Sequence, residues 1–366
     1  MTSMLPYLSK KLAFLSFLGI VMVVFIHASV PGGEAFYSYL LMTTVIKVVT
    51  SIFKPLFFAI SGFLFFQNVD GLETIGTKLK KRFFTLLIPY VLTNFLAYCA
   101  IGVLKMLPAT AKFVNASVYL GHNGDLAWNQ LPMRLFITPY MFHLWFVKTL
   151  IVVLLLTPLL FFCLRKNKSG ALFVCGLAAS CLLQEFGMVP SFFAALNLVT
   201  ADLCFALFTF SFGGFIALNY PKLAEAKADL RHTAKALGGV VVAALVNILS
   251  AGRLIDMWFF LLFILFFMAY DIDWLRMMRE SIFLSKIIPF TFFIYLFHMP
   301  WMNIPKKLLA RLLLRTGGVG YCLTYLLAPI IIIVILLIIA MAAERFLPKT
   351  YSLLTGGRGS SRRKYY

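Results

Sequence analysis

The sequence predicts an all-α, polytopic membrane protein of about ten transmembrane helices. Of its 366 residues, 62% are hydrophobic and only 13% charged, with a mean hydropathy of +0.94. A soluble domain of this length cannot bury so much apolar surface. The apolar residues also come in runs close to the ~20 needed to cross a ~30 Å hydrocarbon core. Finally, Lys and Arg gather in alternate segments between the runs, as cytoplasmic loops require. The net charge of +20 therefore reports topology, and no nucleic-acid partner is expected.

The runs fall at roughly 12–30, 43–66, 83–104, 143–163, 170–183, 198–218, 236–251, 254–271, 286–303 and 320–345. With the N-terminus inside, the cytoplasmic segments hold Lys10 and Lys11, "KLKKR" (78–82), "RKNK" (165–168), the basic residues of 222–235, those of 276–286, and the C-terminal end. About two-thirds of all Lys and Arg then lie on one side, which places both termini in the cytoplasm of a multi-pass cell-membrane protein. The first run is too long for a signal-peptide core and is expected to remain as the first helix. Residues 1–350 read as a single transmembrane domain and 351–366 as a basic cytoplasmic tail.

Two outer segments stand apart. The 105–142 segment contains the polar "GHNGDLAWNQ". In "PKKLLARLLLR" (305–315), leucines recur at helical spacing among four cations, the pattern of an amphipathic helix lying against membrane lipid. The six cysteines sit inside apolar runs without CxxC or CxxH spacing, so they read as small core residues.

Ionisable side chains at membrane depth carry the functional argument, because burial there is costly. His27 stands ~21 Å beyond Ala13 and His298 ~18 Å beyond Lys286 at ~1.5 Å per residue. Lys54 reaches a similar level on the second run, and Lys148 lies one turn inside the fourth. All four fall in the outer half. Lys47, Lys54 and Ser61 are spaced by seven and share one helix face, which should point into the bundle or a water-filled cavity. His143 reads equally well as an interfacial residue or a site residue, and Tyr295 reads as an interfacial aromatic. A neutral imidazole can take the proton of a hydroxyl attacking a carbonyl, and an ammonium or second imidazole can stabilise the oxyanion. No HExxH or paired-carboxylate pattern suggests a metal. Acyl transfer to an alcohol suits these residue types. A transporter or flippase for a lipid-linked or sugar substrate would use the same polar stripe.

The motifs resemble those of the acyltransferase 3 family, bacterial integral membrane O-acyltransferases. "FLSFLGIVMVVFIHA" is similar to the family's opening helix, which ends in a histidine, here His27. "KPLFFAISGFLFF" (54–66), "KKRFFTLLIPY" (80–90), "HLWFVKTL" (143–150) and "FFIYLFHMPW" (292–301) follow in the family's order. "LLTGGR" (353–358) is similar to the ending of one branch. The resemblance implies acyl transfer from acyl-CoA, with acetyl-CoA foremost, to a hydroxyl of a cell-surface glycan or lipid-linked sugar. His27 would be the general base, and Lys54, Lys148 and His298 the remaining catalytic groups. Ser61, His143, Trp145 and Tyr295 would contact substrate. Where many members carry Asp and Arg in the first helix and Arg-x-x-Arg before the third, this chain has Ala13, Ser16 and Thr85. Donor contacts would then fall to Lys11, Lys80, Lys81 and Arg82, whose cations suit the phosphates of coenzyme A.

Overall fold

Every regular element in the computed structural model, which describes residues 6–28, 53–108, 131–136, 138–185, 201–221, 280–299 and 301–359, is a helix. In chain order these are α1 (Pro6–Ile26), α2 (Phe53–Phe66), α3 (Leu72–Arg82), a π-helical turn (Phe83–Leu87) and α4 (Ile88–Met106). After them come α5 (Leu131–Phe136), a 3-10 turn (Phe142–Leu144), α6 (Trp145–Leu155), α7 (Thr157–Leu164), α8 (Asn167–Glu185) and α9 (Ala201–Asn219). The last five are α10 (Ile282–Ile287), α11 (Thr291–Phe297), α12 (Asn303–Leu313), α13 (Gly318–Phe346) and α14 (Pro348–Thr355).

Among the described residues, three helices are long and apolar enough to cross a membrane: Leu8–Ile26, Leu72–Met106 and Gly318–Phe346. A fourth is gained if Phe142–Leu155 and Thr157–Leu164 count as one broken span. The first, third, fourth and tenth predicted runs are thereby located, and the fifth and sixth coincide with α8 and α9. The seventh and eighth, at 236–251 and 254–271, lie outside the described residues, as do Lys47 and most of the 105–142 segment. The ninth run is not one continuous helix. The helical stretch Ile282–Phe297 tightens to a 3-10 turn around Pro289, which brings no N–H to the ladder, and it stops at His298, within the run.

The α13 helix shows how these sequences choose their faces. Thr324, Ala328, Ile332, Leu336 and Ala340, four apart, are buried, whereas Ile330, Val334 and Ile338 are exposed. In water such a face would be polar; here it is hydrocarbon throughout, as a lipid-facing surface must be. The α6–α7 break has an equally local cause. Pro158 cannot donate to the Leu154 carbonyl, and the buried Thr157 hydroxyl donates to it instead at 2.6 Å.

The chain divides into two compact units, Met1–Lys78 with Val153–Ile288, and Leu79–Val152 with Pro289–Tyr366. In the first unit, α2 packs along α9 with the backbones almost touching. A Cβ on Gly62 would lie 2.0 Å from the Phe210 carbonyl oxygen, and one on Gly213 would lie 1.9 Å from that of Ala59. Small residues at such crossings replace the hydrophobic drive that lipid does not supply. Phe66 meets Phe65 and Phe210 edge to face, and Phe65 is tilted against Phe210. In the second unit, α14 packs against α4 and α13.

Candidate functional site

The second unit gathers three of the predicted site residues around a buried histidine pair. His143 lies in the 3-10 turn before α6, and His298 caps the C-terminus of α11. Their rings stand 4.7 Å apart between centroids at 62°, and they are 2% and 0% exposed. Neither histidine is at the surface, so the interfacial reading of His143 does not hold. Nor does it hold for Tyr295, whose ring is buried and whose hydroxyl donates to the His143 carbonyl at 2.7 Å.

Hydrogen bonds assign the tautomers. His298 Nδ1 lies 2.8 Å from the Tyr295 carbonyl, which can only accept, so Nδ1 carries the proton and Nε2 the basic lone pair. His143 Nε2 faces the Leu296 carbonyl at 3.3 Å, so its basic lone pair is on Nδ1. Each imidazole thus turns one basic nitrogen away from its backbone partner within a buried site.

The chain before His143 is held by a residue that the sequence reading did not single out. Asn94, fully buried on α4, accepts the Tyr140 backbone N–H through Oδ1 at 2.8 Å and donates Nδ2–H to the Leu135 carbonyl. An amide in the middle of an apolar run was the available signal, because such a group needs partners inside a span. Trp145 and Lys148, half-buried on α6, follow directly from the histidine turn. Tyr295→Phe should cost ~1 kcal/mol by deleting the bond to the His143 carbonyl without opening a cavity. The readout is the melting temperature of the detergent-solubilised protein.

A second feature of this unit is an open cleft of about 650 Å³, lined by Lys81, Thr85, Lys349, Ser352, Gly356 and Gly357 among others. Its architecture starts from Pro89, which has no N–H to give the Thr85 carbonyl four residues back. Arg358 Nη1 donates to that carbonyl at 2.7 Å and to the Thr355 carbonyl at 2.9 Å, while its guanidinium stacks 4.1 Å from the Phe292 centroid. Gly356 ends α14 at φ +62°, and a Cβ there would lie 2.4 Å from the Thr85 oxygen. The position is closed to every other residue both by conformation and by space. "LLTGGR" is therefore a clamp on the π-helical turn.

The electrostatics of the cleft are one-sided. Lys81 and Lys349 are exposed on its wall. Burial, and then the charge of Arg82, push the Arg358 guanidinium down to about 9. It stays cationic at neutral pH, and no carboxylate among the described residues pairs with it or with Arg82. The Thr85 hydroxyl is buried without a hydrogen-bond partner among the described residues. The two exposed lysines beside an unsatisfied hydroxyl make a site suited to an anion. Lys80 is exposed on the same turn of α3. Lys78, the first cation of "KLKKR", belongs to the first unit and is committed elsewhere: its Nζ donates to the carbonyls of Phe65, at 2.8 Å, and Gln67, capping α2.

The other predicted residues lie in the first unit. His27 is half-buried in the turn that follows α1. Lys11 is 1% exposed on α1, and Ser61 is half-buried on α2 beside Gly62. Lys54 opens α2, but its side chain is outside the described residues. No cluster of three metal-ligating side chains occurs among the described residues.

Comparison with known proteins identifies one family. The family model described as an acyltransferase domain, that of acyltransferase 3, matches residues 12–345, nearly the whole chain. No curated protein and no solved structure matches the chain.

Proposed function

Because this membrane protein belongs to the acyltransferase 3 family, we propose that it moves an acyl group, acetyl foremost, from acyl-CoA to a hydroxyl of a cell-surface glycan or lipid-linked sugar. His27 accepts the proton of the acceptor hydroxyl as its oxygen attacks the thioester carbonyl. The C–S bond breaks, and the thiolate takes that proton back from the imidazolium. The products are the acyl ester and free coenzyme A. The His143–His298 pair offers a second basic site, and Lys148, on the helix that follows the His143 turn, is a cation suited to the developing oxyanion. Tyr295 and Asn94 act as positioning residues through the turn that carries His143.

The observation that carries the donor assignment is the cleft with Lys81 and Lys349 on its wall. Its volume lies in the range of small-molecule sites, and its cations match a diphosphate rather than a neutral sugar. Lys81→Glu combined with Lys349→Glu should raise KM for acetyl-CoA by ~10–100-fold with kcat largely kept. The same variant should use acetyl-pantetheine, which lacks the nucleotide, as well as the parent does. An unchanged KM for acetyl-CoA would remove the cleft from donor binding.

The transport reading gains one feature, the broken helix pair at Leu156. Discontinuous helices in transporters come in matched halves, and a second bent pair is absent among the described residues. The enzyme reading therefore uses more of the chain.

A further inference from the structure

The α12 helix turns one face to the protein, through Met302, Pro305 and Lys306, which are buried. Its opposite face is unusual for exposed surface. Ile304, Leu308 and Leu312, at i, i+4 and i+8, are 61%, 58% and 65% exposed, and Trp301 joins them. Lys307, Arg311 and Arg315, again four apart, run alongside and are exposed too. One outward face thus pairs a hydrocarbon stripe with a cationic one.

The depth of this face follows from what comes next in the chain. A 3-10 turn (Leu314–Thr316) and Gly317, at φ +67°, reverse the direction into α13. Gly320 then lets the first turn of α13 close on the end of α12: a Cβ there would lie 1.8 Å from the Leu313 carbonyl oxygen. The α13 helix has 29 residues, ~44 Å at 1.5 Å each, against a ~30 Å hydrocarbon core. Its first turn therefore emerges among the headgroups, and α12 is pinned there. Cations at that level meet phosphates, and leucines beside them meet the upper acyl chains.

We propose that the outward face of α12 is a docking surface for anionic phospholipid, with Ile304, Leu308 and Leu312 in the acyl boundary and Lys307, Arg311 and Arg315 on the headgroup phosphates. The surface is independent of the donor cleft and of the histidine pair.

The test uses the full chain reconstituted in phosphatidylcholine vesicles containing dibrominated lipid. Subtracting the signal of Trp301→Phe isolates the fluorescence of Trp301. Dibrominated phosphatidylglycerol should quench that component at a mole fraction on the order of tenfold lower than dibrominated phosphatidylcholine, since each cation near an anionic surface favours it by about fivefold. Raising the salt to ~0.5 M should collapse the preference. So should Lys307→Glu with Arg311→Glu and Arg315→Glu, while quenching by phosphatidylcholine persists. Equal quenching by the two lipids overturns the anionic assignment. Quenching by neither overturns lipid docking altogether, and a cross-linked species of doubled mass would then show a second copy on this face.

Discussion

His27→Ala should lower acyl transfer from acetyl-CoA by ~10²–10⁴-fold, the usual contribution of a positioned proton acceptor. The argument starts from chemistry. A hydroxyl is a poor nucleophile until a base takes its proton, and few groups in an apolar helix can do so at neutral pH. His27 is half-buried in a turn at the end of α1, not in the core, so its removal should leave folding nearly intact. Elution volume and melting temperature in detergent should match the parent's. His27→Gln, which keeps much of the volume but has no nitrogen of suitable basicity, should be as slow as His27→Ala. Transfer retained within about threefold in a well-folded His27→Ala protein would move the base elsewhere. His298 Nε2, whose lone pair the Tyr295 carbonyl leaves directed away, would then be the next candidate.

The largest effect on stability is expected at Gly62. Any side chain there must occupy space already taken by the Phe210 carbonyl, 2.0 Å from the Cβ position, with the Gly214 nitrogen at 3.2 Å. These are backbone atoms, so no rotamer change relieves the clash, and α2 must part from α9. Gly62→Val should cost at least ~3 kcal/mol, the upper end for overpacked sites. It should appear as loss of the monodisperse peak in detergent or a large drop in melting temperature. Gly176→Val is the control, because a Cβ at that position meets nothing within 4 Å. If the two variants melt alike, the close crossing of α2 and α9 is not what holds the first unit.

Much of this was legible in the sequence, and what was not has identifiable causes. Hydropathy located α1, the Leu72–Met106 helix and α13, because each depends only on a long local average. It carried the ninth run past His298, where the helix from Ile282 stops, since Met299, Trp301 and Met302 are apolar on any transfer scale. Depth arithmetic marked His298, but not its closeness to His143, which depends on packing between residues ~150 positions apart. The even choice between interface and site for His143, and the interfacial reading of Tyr295, could be decided only by burial. "SGF" was legible as a motif, yet the reason for its glycine lies in the facing α9 backbone. "LLTGGR" was legible as a motif in a basic tail, yet the bond from Arg358 to the Thr85 carbonyl depends on packing between residues 273 positions apart.

That last pairing has a consequence for how the protein is made. Arg358 and Thr85 are 273 positions apart, so the π-helical turn enters the bilayer long before the ribosome has produced the group that completes it. Until then the Thr85 oxygen lacks the Arg358 guanidinium, in a membrane that offers few other donors. A nascent chain stopped at residue 347 should therefore be inserted yet remain open to protease near Thr85, and a chain extended through Arg358 should close it.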